Sequence, residues 1–242
     1  AAPVDVTIVE GGLWRTRTSS TVAAGNFDIT IEAGAALIGG LQSGNSTVHE
    51  SPTVITFADP ESVLTNAGFL IPGPQTTDAS SGADHEGDLR LEGLGELRHS
   101  GLVLLGALFR DNTAGTSFRN TRVDVTDSFP DDILTMTGGK WVGEGGRVMF
   151  DVDFNRSQTD CSRDPVTGNM AAADCLRLPG VTTEGVTYVV INEIFPGDRI
   201  RPPEDGIMLV EVTGGTSAQG HFTIDPTAPG FTELFGGSQD RG

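Results

Sequence analysis

The chain has 242 residues, with 15 basic and 33 acidic side chains and a formal net charge of −18 at pH 7. That charge repels nucleic-acid phosphates and anionic lipid faces, so neither is expected as a partner. The length suits one domain with a sizeable core, and 37% hydrophobic residues keep the chain outside the disordered range.

The start, Ala1-Ala2-Pro3, matches what remains after cleavage at a small-residue site, so a mature exported chain is expected. Short alternating strands then recur. Val4–Val9 ends at Gly11-Gly12, and Phe27–Ile31 ends at Gly34. Leu89–Leu91 ends at Gly93, Leu94 and Leu97 follow before Gly101, and Leu102–Leu105 ends at Gly106. Val123–Val125 and Ile133–Met136 come next. The clearest strand is Arg147–Phe154: Val148, Phe150, Val152 and Phe154 share one face, with Arg147, Met149, Asp151 and Asp153 on the other. Period two with acidic residues predicts a half-buried strand with a wet side. Val186–Ile191 and Ile207–Val212 are two further strands. Helical periodicity is almost absent, because Gly and Pro interrupt the chain too often. The longest apolar cluster, Leu102–Leu105 with Ala107–Phe109, is far short of the ~18 residues that span a bilayer.

Two architectures suit many short strands with glycine turns: an antiparallel sandwich or barrel, and a parallel β-helix of stacked ~20–25-residue coils. A sandwich calls for hairpin dipeptides between matched strands, and the sequence offers only Asp205-Gly206. Strand–Gly–strand–Gly, as in 87–106, suits coil corners, where glycine accepts positive φ. The expected fold is therefore all-β, a right-handed parallel β-helix (solenoid) over residues 1–225, with projecting loops. Pro72–Asp88 and Cys161–Cys175 read as those loops, and 226–242 as a tail or linker. In that tail Phe231, Leu234 and Phe235 are expected to dock on the last coil or on a partner.

Cys161 and Cys175 are the only cysteines. They are too few and too widely spaced for a zinc site. One reading is two free thiols in an intracellular protein. The preferred one is a disulfide closing a loop rich in turn residues, which would stabilise by about 3 kcal/mol and imply an oxidising compartment.

Chemistry is sparse. None of His49, His85, His99 and His221 has catalytic spacing, and His85-Glu86 lacks the second histidine of H-E-x-x-H. Gly215–Gly220 is one residue too long for G-x-S-x-G, so Ser217 reads as a turn serine. The pairs Asp124/Asp127, Asp131/Asp132 and Asp151/Asp153 read as solvated carboxylates. Glycosidase chemistry needs two carboxylates across a cleft, and no pair stands out. No catalytic residue is assigned and no cofactor expected. Calcium is the metal candidate, because Asp78, Asp84, Glu86 and Asp88 offer oxygen ligands in one loop. Lys140 lies outside any phosphate-loop context.

From Thr135 onward the chain resembles the C-terminal part of autotransporter passenger domains, the pertactin-like β-helix of Gram-negative surface proteins. Leu134–Phe154, with its glycine turn before a long strand, carries the resemblance. So do Ser157–Asp160, Leu176–Leu178, Gly185–Asn192, Asp205–Val212, Gly215–Ser217 and Phe222–Ile224. The resemblance covers 135–225 and implies an autochaperone-like folding segment. It assigns Trp141, Gly143, Gly145 and Gly146 to a capping turn, and Phe150, Val190 and Phe222 to the core beneath. Two features depart from the family. The segment Cys161–Cys175 interrupts a step that is otherwise continuous, and no linker helix or C-terminal outer-membrane β-barrel follows within these residues.

The resemblance implies a passenger exported through the periplasm and outer membrane, surface-displayed or secreted, non-enzymatic, with an adhesive, aggregative or structural role. Its partners would be a host or neighbouring-cell surface, or further copies of itself. The alternative is a polysaccharide-acting β-helix enzyme, either a lyase or a glycoside hydrolase. A third reading makes the chain the folding-competent end of a larger passenger.

Overall fold

The computed structural model describes residues 3–16, 20–22, 25–39, 53–72, 88–105, 108–110, 122–124, 130, 132–155, 172–194 and 206–227. The first strands are β1 (Val4–Ile8), β2 (Leu13–Arg15) and β3 (Ser20–Val22). They are followed by β4 (Phe27–Ile31), β5 (Ala36–Ile38) and β6 (Thr53–Phe57). Next come β7 (Val63–Asn66), β8 (Phe69–Ile71) and β9 (Asp88–Glu92). Then follow β10 (Glu96–His99), β11 (Leu102–Leu104), β12 (Leu108–Arg110), β13 (Arg122–Asp124) and β14 (Ile133–Thr137). The last are β15 (Lys140–Val152), β16 (Cys175–Pro179), β17 (Thr182–Glu193), β18 (Val210–Thr213) and β19 (Phe222–Ile224).

These strands form two parallel sheets and one antiparallel pair, β12–β13. The larger sheet has eleven strands on the path β1-β4-β7-β10-β15-β11-β8-β5-β2, with β17 added to β15 and β19 to β17. The six-stranded sheet runs β18-β16-β14-β9-β6-β3. No helix occurs among the described residues.

This layout corrects the expected right-handed parallel β-helix. Uniform coils require a constant step between paired strands, and the step is uneven: Val4 faces Phe27, whereas Glu96 faces Lys140. The glycines that the resemblance assigns to a capping turn, Gly143, Gly145 and Gly146, also lie inside a strand. β15 runs unbroken for 13 residues and joins the β10 row to the β11 row in one sheet. Within it Glu144 faces Val186 and Arg147 faces Tyr188, so Gly145 and Gly146 oppose Thr187 alone. That is a β-bulge, and Gly145 takes φ 81° to form it. A bulge absorbs the extra residue without ending the strand, which sequence alone does not distinguish from a corner.

The main core holds Ile29, Leu64, Leu97, Trp141, Phe150, Leu134, Leu176 and their neighbours. A second buried cluster, Ala36, Ile38, Ile71 and Leu104, alternates with core residues Leu37, Leu70 and Val103. Successive residues of a strand point to opposite faces, so β5, β8 and β11 are buried on both sides. This explains why they read as unbroken apolar runs, as parallel strands do.

Candidate functional site

The polar side chains inside the stack gather on the strands around β15. Asn66, His99, Gly143 and Gly185 occupy one register row across β7, β10, β15 and β17. His99 is fully buried. Its Nε2 lies 3.0 Å from the Arg147 carbonyl, which can only accept, so Nε2 carries the proton. Nδ1 then accepts from Asn66 Nδ2 at 3.3 Å. Burial, opposed by that carbonyl bond, lowers the His99 pKa to about 4, so the ring is neutral at pH 7. The Trp141 ring meets His99 edge-on, with centroids 5.5 Å apart, and Phe222 lies 6.2 Å beyond Trp141. The buried Trp141 Nε1 donates to Thr187 Oγ1 at 2.9 Å. The glycines leave room for these rings: a Cβ on Gly146 would sit 2.7 Å from His99 Nε2, and one on Gly143 2.5 Å from Thr187 Oγ1.

At the end of the stack Thr183 is buried, 2.8 Å from Ser217 Oγ and 2.8 Å from His221 Nδ1. The Ala218 amide also donates to that Nδ1, at 3.3 Å. Nδ1 therefore accepts from the Ala218 amide, and Thr183 Oγ1 donates to Ser217 Oγ. The lone pair at Nδ1 takes the Ala218 amide, and Ser217 is bonded to Thr183 rather than to the imidazole, so this cluster closes a turn and offers Ser217 no directly paired base. Beside it Arg147 Nε donates to Asp225 Oδ2 at 2.7 Å. The Arg147 bond, with those from Thr227, lowers the Asp225 pKa to about 2.

Asp132, Asp151, Asp153 and Asp174 are buried, which corrects the solvated reading of Asp132 and of the Asp151/Asp153 pair. Asp174 accepts the Asp132 and Asp151 amides at 3.2 and 2.6 Å, and Asp151 Oδ1 accepts from Asn192 Nδ2 at 2.7 Å. The Asp174 and Asp153 carboxylates thus terminate backbone amides near strand ends, a use that period-two patterning does not reveal. Among the described residues no group of three or more His, Cys, Asp or Glu side chains could hold a metal ion.

The other expected site residues are scattered. Phe150 is buried in the core, Val190 is half-buried, and Phe222 packs half-buried against Trp141. Trp141, Gly143, Gly145 and Gly146 all lie within β15. Cys175 opens β16, buried and disulfide-bonded. The chain's other cysteine, Cys161, lies outside the described residues. So do Asp78, Asp84, Glu86, His49, His85, Phe231, Leu234 and Phe235, while Asp88 begins β9. Sequence reasoning missed Asn66, Thr183, Thr187, Asp174 and Asp225. Thr183 and Thr187 had one signal, hydroxyls at the same spacing as apolar neighbours on a strong strand.

No helix among the described residues is long and apolar enough to cross a membrane, which does not bear on β-barrels. No family model, curated protein or solved structure matches this chain.

Proposed function

We propose that this is an exported protein, displayed at the cell surface or secreted, with an adhesive, aggregative or structural role and no catalysis. The observation that carries the reading is the disulfide-bonded Cys175, since disulfides persist in oxidising compartments and are rare in the cytosol. The outer wall supports it. Lys140 pairs with Glu184 at 3.1 Å, Arg177 with Glu211 at 3.4 Å, and Arg98 lies between Glu96 and Glu144. These ion pairs, cross-strand except for Arg98–Glu96 within β10, suit a hydrated surface. The resemblance of 135–225 to autotransporter passengers points the same way. Calcium, held by the carboxylate oxygens of Asp78, Asp84, Glu86 and Asp88 that lie close together in sequence, belongs to the same proposal.

The test is thiol alkylation of protein taken from its native cells, paired with protease shaving of intact cells. Cys161 and Cys175 should resist alkylation until reduced, and shaving should remove the protein. Two thiols that alkylate without reduction would sink the export reading. Depolymerisation of a polysaccharide by the purified chain would replace display with the lyase or hydrolase alternative.

A further inference from the structure

Residues 221–227, which carry β19, are lightly held. Of residues 206–227 only Asp225 is buried, and residues 213–220, which lead into β19, are exposed. β19 has three residues and, among the described strands, pairs only with β17. Outside that ladder, Thr187 N donates to the His221 carbonyl at 2.8 Å and Asp225 N to the Val189 carbonyl at 2.9 Å. Segments with few buried side chains and solvent-exposed backbone bonds open before the rest of a structure.

Three contacts lead from this segment back to one buried imidazole. The His99 ring meets Trp141 at 5.5 Å, and Trp141 meets Phe222 of β19 at 6.2 Å. Trp141 Nε1 also donates to Thr187 Oγ1, and the amide of the same Thr187 holds the His221 carbonyl. The Arg147 carbonyl accepts from His99 Nε2, and the Arg147 guanidinium donates to Asp225. The surroundings of the ring suit only its neutral form. β7 places Asn66 at Nδ1, and β15 packs Trp141, Gly146 and the Arg147 carbonyl on the rest. None of these groups is a carboxylate. The charged side chains next to it, those of Arg98 and Arg147, are half-exposed and pair with Glu96, Glu144 and Asp225. A proton on Nδ1 would face the Asn66 Nδ2 donor, and turning the Asn66 amide would restore a bond without supplying negative charge. An imidazolium here is a buried charge with no counter-ion.

We propose that residues 221–227 form an acid-sensitive latch. Protonation of His99 breaks its bond with Asn66 and draws water to the ring, and 221–227 leaves β17 while the rest of the stack stays folded. Opening at this end hydrates the ring at the smaller cost, because it frees Asp225, a carboxylate that water solvates readily, and the half-buried Phe222. Opening on the β7 side would expose Ile29, Leu64 and Leu97, all buried. The ring titrates near 6.5 in water and at about 4 when enclosed. The open form therefore binds the proton first as pH falls. The latch has its full hold above about 6.5, and its opening constant rises by up to about tenfold per pH unit toward 4, or about 30-fold by pH 5. Asp225, held at about 2 by the bonds from Arg147 and Thr227, stays ionised over this range. His221 lies in the latch itself and its Nδ1 accepts from the Ala218 amide, which makes it the rival source of a pH response. The latch stands apart from export and display, which alkylation and shaving test.

The experiment is hydrogen exchange of the full chain at pH 7 and pH 5, read by NMR and corrected for intrinsic rates, with His99→Gln and His221→Gln beside it. In the unaltered chain the Thr187 and Asp225 amides should lose about 20–30-fold in protection at pH 5, while the amides of β4 and β7 keep theirs. His221→Gln should show the same loss, and His99→Gln should abolish it. If His99→Gln does not fold, NMR titration of both imidazoles in the unaltered chain replaces it, and the loss of protection should follow protonation of His99. Four results overturn the proposal: unchanged protection at pH 5, a loss shared by β4 and β7, a loss that survives His99→Gln, or one that vanishes in His221→Gln or follows the His221 titration.

Discussion

His99 makes the folded state sensitive to mild acid. The ring is buried and neutral, donating from Nε2 to the Arg147 carbonyl and accepting from Asn66 at Nδ1. In the unfolded chain it titrates near its ordinary 6.5, and in the folded chain at about 4. The unfolded state therefore binds the proton first as pH falls. Stability is complete above about 6.5 and is lost progressively toward 4. At 1.36 kcal/mol for each pH unit between the two values, the loss is about 2 kcal/mol by pH 5 and about 3 kcal/mol by pH 4. That is a large share of a typical stability of about 5–15 kcal/mol. His99→Gln isolates the effect, because glutamine keeps one donor and one acceptor and does not titrate. Urea unfolding of both proteins at several pH values measures it. The difference in their free energies should change by about one proton's slope between pH 6.5 and 4. Parallel pH profiles would refute the buried neutral ring.

Other predictions follow from the same residues. Gly143→Ala places a Cβ 2.5 Å from Thr187 Oγ1 and from the Val186 carbonyl carbon. The backbone cannot yield cheaply, so a loss of about 1–3 kcal/mol is expected, read as a lower midpoint of thermal unfolding. Thr187→Val removes the acceptor of the buried Trp141 Nε1 and should cost about 1–3 kcal/mol. Adding Trp141→Phe should recover part of that loss in a double-mutant cycle. Arg147→Ala should let the Asp225 pKa rise from about 2 toward the ordinary carboxylate range, followed by NMR titration. The acid-side loss of stability between about 3.8 and 2 should shrink with it, since the depressed carboxylate stabilises only above that window. The cost at neutral pH should be about 1 kcal/mol, because solvent screens the half-exposed guanidinium. Reduction should lower unfolding stability by about 3 kcal/mol if Cys175 closes the loop to Cys161, and melts with and without reductant measure it.

Strand content was legible where one face is wet. Phe27–Ile31 and Ile133–Met136 alternate in sequence and are strands in the structure. Thr53–Phe57 alternates equally well and was passed over, although its burial alternates residue by residue. Ala36–Ile38 and Phe69–Ile71 could not be recognised by alternation, because both of their faces are covered. The resemblance assigns Trp141 to a capping turn and Phe222 to the core, and in the structure Trp141 lies inside β15 with its ring 6.2 Å from that of Phe222. His99 has no catalytic spacing in the sequence, yet it organises the interior polar network. Its partners stand 33 and 48 positions away, so no local pattern could show them.

By itself the sequence determined that this chain builds many short strands, avoids helices over most of its length and carries a strongly acidic surface. Those properties follow from local preference and charge, which act residue by residue. Only the tertiary structure decided how the strands join. Gly145 and Gly146 could have formed a capping turn, but they are a bulge, because β10, β11 and β17 pair along both halves of β15 and hold it in one strand. Asp151 could have faced water, but it is buried, because Asn192 supplies it with a hydrogen bond. In both cases the deciding group comes from a strand far away in sequence.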